Sequence, residues 1–246
     1  MLLLARIAGL FTFVPIFSHP FLSRRIRAGC ALVFTFVLVY SGVAGSVTPP
    51  AGFLEMTALA AREAAVGLML GITAEILFLT VLFGGQVLGI QMGMNIASLM
   101  DPQFHANVSE VTYIYYYCSL LIFLVLGGDR MVFEALVGNL RALPLGHAVI
   151  GGTAIKALIF WTGEIFSTGI ILVAPVLSAL FCTSVILGVL ARSVPQMNML
   201  MLGYSLKIIV GLFVMAITMP MWVDAFVRYM TRMLEVLNGM ARLVGS

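Results

Sequence analysis

Charge is what this chain has least of. Asp, Glu, Lys and Arg together make 9% of its 246 residues, where a soluble domain carries about 25%. With 62% hydrophobic residues, that scarcity excludes an ordinary water-soluble domain and makes the chain an integral membrane protein. Cysteine is nearly absent too. Cys30, Cys118 and Cys182 lie far apart in apolar stretches and form no CxxC pair, which excludes a disulfide framework or a cysteine metal site. The three histidines, His19, His105 and His147, fall in different connections with no HExxH spacing. There is no GxSxG, and the carboxylates are dispersed. No nucleophile with its base, paired acids or ligand cluster is visible, so a non-enzyme without a cofactor or metal is expected. Residues 151–156, GGTAIK, lack the spacing and the Lys-Ser/Thr ending of a phosphate loop. Basic residues are scattered apart from Arg24, Arg25 and Arg27, which excludes a nucleic-acid surface.

What the chain does have is long hydrophobic runs punctuated by glycine, proline and isolated charge. Residues 1–17 read as a first, retained hydrophobic helix, because no basic n-region or small-residue cleavage site marks a signal peptide. A polar break, SHPFLSRRIR, separates it from a second run at 28–47, and both sit near the ~20 residues that span a bilayer. The positive-inside rule puts Arg24, Arg25 and Arg27 on the cytoplasmic side, where they also suit partner subunits or headgroups. Residues 53–83 form a longer run in which Arg62 and Glu63, near its start, suit an interface, while Glu75 lies deeper. At about 1.5 Å per residue such a helix exceeds the bilayer, which predicts tilting or a break near Gly84.

Residues 84–110, GGQVLGIQMGMNIASLMDPQFHANVSE, are the stretch around which the rest is arranged. Gly85, Gly89, Gly93 and Ala97 recur at every fourth position and predict a smooth stripe against which another backbone packs closely. Asp101-Pro102 ends the helix, and the bland reading of the polar loop beyond it is an ordinary turn. Asn107, with Glu110 three residues on, has capping-box spacing for a helix at 108–126. That helix holds Tyr113, Tyr115, Tyr116 and Tyr117, a cluster suited to a membrane-interface belt.

Downstream, Asp129 is expected to cap a helix over 130–143, ended by Pro144 and Gly146. Residues 155–190 are apolar throughout, carry Glu164, and are interrupted by Pro175, predicting two half-helices or one kinked span. RSVPQMNMLM is a second polar break. An apolar run at 202–219 holds Lys207, whose ammonium reaches the interface or meets a carboxylate. The tail, about 222–244, has an apolar seam at Trp222, Phe226, Tyr229, Met233, Val236, Met240 and Leu243, and reads as an amphipathic helix for a membrane surface or a partner helix. Glu75, Glu164 and Lys207 are the intramembrane polar residues, and they suit a small secondary transporter. No matching pair of interrupted segments supports that class, and the chain is small for it.

Three stretches carry a specific resemblance. GGQVLGIQMGMNIASLMDPQ, SLLIFLVLGGDRMVFEALVGNLRALPLG and LARSVPQMNMLMLGYSLKIIVGLFVMAITMP occur here in order. They resemble the Gly/Gln motif before Asp-Pro, the helix–turn–helix next to it, and the R-x-x-P-Q-x-N block of the flagellar biosynthetic protein FliR family. The resemblance covers nearly the whole chain, read as one FliR-like export-gate domain, 1–246. It departs at Asp129, where the family often has histidine.

The resemblance implies an all-α integral membrane-type protein of kinked helix hairpins, a FliP-like unit followed by a FliQ-like unit. It implies a subunit of the flagellar type III export gate in the bacterial inner membrane, multi-pass, at the flagellar basal body. The implied partners are FliP-like and FliQ-like subunits, FlhB-like and FlhA-like subunits, membrane lipid and secreted unfolded flagellar proteins, with no nucleic acid. The corresponding injectisome subunit stays open as an alternative; DPQ and RALPLG favour the flagellar branch. By position, the family's pore plug maps to Asp101, Pro102, Gln103, Phe104, His105, Ala106, Asn107, Val108 and Ser109. Phe104 would be its apolar stopper. Met92, Met94, Met100, Met197, Met199 and Met201 are candidate gating methionines, for which core packing is the default reading. The stripe leads to the expectation that Gly89→Leu or Gly93→Leu blocks co-assembly.

Overall fold

The computed structural model describes residues 1–14, 23–42, 52–94, 108–147, 151–193 and 199–243, with the side chains of 199–201, 238 and 240–243 left aside. Among the described residues the chain is helical, with no strand. Its helices are α1 (Leu2–Phe13), α2 (Arg24–Tyr40), α3 (Phe53–Met92), α4 (Glu110–Val125), α5 (Gly128–Ala142), α6 (Gly152–Ser193) and α7 (Met199–Leu243). Three of them, α3, α6 and α7, contain stretches long and apolar enough to cross a membrane.

Several boundaries differ from what the sequence led one to expect. Arg24, Arg25 and Arg27 are not in a polar break but begin α2, behind Ser23, whose hydroxyl accepts from Ile26 N–H. Of the two alternatives for the long third run, tilting or a break near Gly84, the break does not form; α3 runs unbroken for 40 residues. Gly84 and Gly85 are themselves buried, so close packing replaces the side-chain contacts that glycine lacks. α5 begins at Gly128, after Gly127 in the left-handed conformation, so Asp129 lies inside the first turn and is not the cap. At Pro175 the single-span alternative holds, α6 passing through it as one helix; α7 likewise passes through Pro220, so the tail seam belongs to α7 and not to a separate helix. Each proline removes one internal hydrogen bond and leaves the rest of a long ladder to continue.

The contacts divide the chain into two compact units, each assembled from several stretches. Unit one comprises Met1–Phe78, Phe123–Gly163 and Tyr229–Ser246. There α1 lies against the first part of α3 with almost no space between backbones. A β-carbon at Gly9 would stand 2.5 Å from the Ala64 carbonyl oxygen, one at Gly71 would stand 2.8 Å from that of Leu10, and one at Gly67 would collide with that of Arg6. Phe11 meets Phe34 and Phe133 edge-on, and those two rings stack at 4.3 Å. On α7, Met230, Met233, Leu234 and Leu237 are buried. Arg232 lies over the Trp161 ring at 5.3 Å, within cation–π range.

Unit two comprises Leu79–Ile122 and Glu164–Arg228. Gly84 and Gly169 face each other: a β-carbon on Gly84 would lie 2.6 Å from the Gly169 carbonyl oxygen. Met92 is buried with its methyl against Gly211. Tyr115 packs on Trp222, which stacks on Phe226. Of the tail seam, Trp222 and Phe226 are buried in this unit, and Tyr229 and Met233 are buried residues of unit one.

Candidate functional site

Two polar joints stand out, one in each unit. In unit one, Arg6 is wholly buried. Its Nε donates to Glu63 Oε2 at 2.6 Å, with Nη2 2.5 Å from the same oxygen, while Nη1 donates to Asn139 Oδ1 and the Leu143 carbonyl. Glu63 is equally buried, and its other oxygen accepts from Gly146 N–H at 2.8 Å. The joint thus ties α1, α3, the end of α5 and the turn beyond it. A buried ion pair survives desolvation only when its remaining lone pairs and protons are satisfied, and this network does most of that. Sequence reasoning passed over Arg6 and Asn139 and put Glu63 at an interface. The signal was the lone arginine of the first apolar run and the glutamates of the 53–83 run, Glu55, Glu63 and Glu75, since intramembrane charges seek each other; which of the three it meets was not legible.

The second joint lies in unit two, on the stretch singled out by its glycines. Gly85 faces Thr112 and Gly89 faces Ser109: a β-carbon at Gly85 would sit 2.8 Å from Thr112 Cα, and one at Gly89 would overlap the Ser109 side chain. The neighbouring helix is therefore α4 of the same chain. Gly93 does not continue the stripe. It has φ 78°, with Gly93 N–H donating to the Ile90 carbonyl and Met94 N–H to the Gly89 carbonyl. Those two bonds are the Schellman ending of a helix, which glycine accommodates because it lacks a β-carbon.

Ser109, and not Asn107, caps α4. Its hydroxyl accepts from Thr112 N–H at 3.4 Å and lies 2.8 Å from the Thr112 hydroxyl. Gln86 Oε1 accepts from Ser109 N–H and from the Thr112 hydroxyl, both at 3.4 Å. Gln86, a polar residue beside the glycine stripe, needs a partner in an apolar layer, but the sequence did not show that Thr112 supplies one. Their pairing needs residues 26 apart to meet, which no local pattern reveals.

Of the remaining site residues, Asp101, Pro102, Gln103, Phe104, His105, Ala106 and Asn107 lie outside the described residues, as do Ala97, Met100 and Met197, and the side chains of Met199 and Met201. Val108 is half-buried and Ser109 buried. Met92 is core, and Met94 is half-buried. Glu75, Glu164 and Lys207 are half-buried, and none has an ion-pair partner among the described residues. Glu75 Oε2 is enclosed without a hydrogen-bond partner there. Among the described residues no group of His, Cys, Asp and Glu is arranged to hold a metal.

An all-helical chain with three span-capable helices and close glycine-mediated joints is a membrane protein of packed helices. The family described as bacterial export proteins, family 1, matches residues 1–233; the chain belongs to this family. It is 31% identical to the flagellar biosynthetic protein FliR of Escherichia coli (strain K12), over 89% of this chain and 83% of that protein. It is 26% identical to FliR of Bacillus subtilis (strain 168), over 100% and 95%. The surface presentation of antigens protein SpaR of Shigella flexneri is 27% identical, over 86% and 81%.

Proposed function

We propose that the chain is a non-enzymatic subunit of the flagellar type III protein export gate, and that it helps form and plug the conduit for unfolded flagellar substrates. The observation that carries this reading is the family match across residues 1–233, joined to three helices able to cross a membrane. The chain acts as one FliR-like unit in the bacterial inner membrane at the flagellar basal body, alongside FliP-like and FliQ-like subunits and next to FlhB-like and FlhA-like ones. An injectisome role is the second reading, supported by the SpaR relative; the flagellar relative at 31% identity favours the first.

In this reading the segment Asp101–Ser109 plugs the resting conduit. A plug must exclude ions yet yield to a passing polypeptide, so it belongs at the low-stability end of the fold. Deletion of residues 103–107 tests it: membranes carrying the assembled gate should leak ions. Normal ion tightness with assembly intact removes the plug assignment. Co-expression with FliP-like and FliQ-like chains tests the wider reading, which a stable, partner-free chain with transport activity of its own would overturn.

A further inference from the structure

We propose that Gln86 is a positioning residue that clamps the returning end of the α3–α4 connection, at Ser109 and Thr112, onto the last turns of α3. The two ends converge on Gly89. On the departing side, Met94 N–H donates to the Gly89 carbonyl, so the chain folds back over the last turn as it leaves. On the returning side, Ser109 sits directly on the bare Cα of Gly89. Gln86 lies three residues earlier on the same helix and shares that face. Its Oε1 receives the Ser109 N–H and the Thr112 hydroxyl. The first N–H groups of a helix have no partner within the helix, and Gln86 meets that need at the point of re-entry.

The geometry assigns a specific chemistry to Gln86. In both contacts its Oε1 is the acceptor, a role that a thioether of similar length does not fill. Both bonds are long, at 3.4 Å, at the weak end of hydrogen-bond geometry. The clamp is thus a light one. Gly89 sets where Ser109 sits by shape, and Gln86 holds it there by a small polar increment that local motion overcomes. The importance of the clamp for sealing rests on the plug reading; the clamp itself does not.

The test uses the export complex purified from membranes, with two readouts: amide hydrogen exchange over residues 108–113 and ion flux. Gln86→Met should speed exchange about tenfold, as loss of two weak hydrogen bonds implies, and should raise the leak. Thr112→Val, which removes one donor to Gln86 together with the contact to the Ser109 hydroxyl, should speed exchange at least about threefold, and Gln86→Leu covers the case in which Gln86→Met fails to assemble. Unchanged exchange in both Gln86→Met and Thr112→Val overturns the clamp, whatever the leak. Faster exchange without a leak, where deletion of 103–107 does leak, overturns the positioning role. If that deletion does not leak either, the plug reading fails alone and faster exchange still supports the clamp.

Discussion

The α1–α3 joint of unit one and the α3–α4 joint of unit two solve the same problem with different chemistry. Both bring helices together over glycine: Gly9, Gly67 and Gly71 in one, Gly85 and Gly89 in the other. Both add a polar fastening beside the glycines. In unit one the fastening is ionic and wholly buried, Arg6 with Glu63. In unit two it is neutral, built from an amide oxygen, two hydroxyls and a backbone N–H. An ionic fastening sealed from water cannot be opened without stranding a charge, whereas the neutral one costs about what a few ordinary hydrogen bonds are worth. The comparison teaches which joint is built to stay shut and which can give way.

Substitutions sharpen that contrast in a definite order. The largest effect falls on Arg6→Met, which leaves Glu63 buried and unpaired and should cost about 3–5 kcal/mol, read as a drop in the melting temperature of the purified chain. The double change Arg6→Met/Glu63→Leu should recover part of that loss, because an apolar pair strands no charge. A loss in the single variant as small as that expected in unit two would erase the distinction.

Next come the glycine seats. Gly67→Ala and Gly89→Ala each force a β-carbon into a neighbour, and overpacking of this kind costs about 1–3 kcal/mol. Gly67→Ala should bear the larger share, because its obstacle is the rigid carbonyl of Arg6, while that of Gly89 is the Ser109 side chain. Equal melting shifts would show that backbone and side-chain obstacles yield alike. Gly138, with nothing within 4 Å of an added β-carbon, serves as the opposite case. Gly138→Ala should stabilise the chain by about 0.5–1 kcal/mol, since alanine loses less conformational freedom in a helix.

The smallest effect belongs to the exposed pair Arg130–Glu134, at 2.9 Å with both side chains largely in solvent. Arg130→Ala should shift stability by about 0.5 kcal/mol or less, and thermal melts at low and high salt would check it. A loss as large as that of Arg6→Met would mean that burial is not what separates the two ion pairs.

How much of this was legible in the chain depended on range. The all-helical class and the long apolar helices follow from hydropathy read in windows of a few turns. The glycine spacing pointed to close packing, and Gly85 and Gly89 do face another helix. The same spacing misplaced Gly93, since a four-residue repeat looks alike whether its last glycine packs a helix or ends one. Asn107 and Ser109 are both good caps by type, and only the start of α4 at Glu110 decides between them. Of the two alternatives at Gly84, tilting or a break, the break does not occur because propensity is a weak local term, and packing on Gly169 and Thr112 outweighs it.

By itself, then, the sequence determined that this chain lives among helices in an apolar setting, that it carries the motifs of an export family, and that its few charges need partners. Only the tertiary structure decided which partners. Arg6 meets Glu63 57 residues away and Asn139 133 residues away, and Gln86 meets Ser109 across a connection of 23. Local periodicity records which face of a helix is apolar. It does not record which distant face will cover it, because that choice is made by the sum of packing and desolvation over the whole chain.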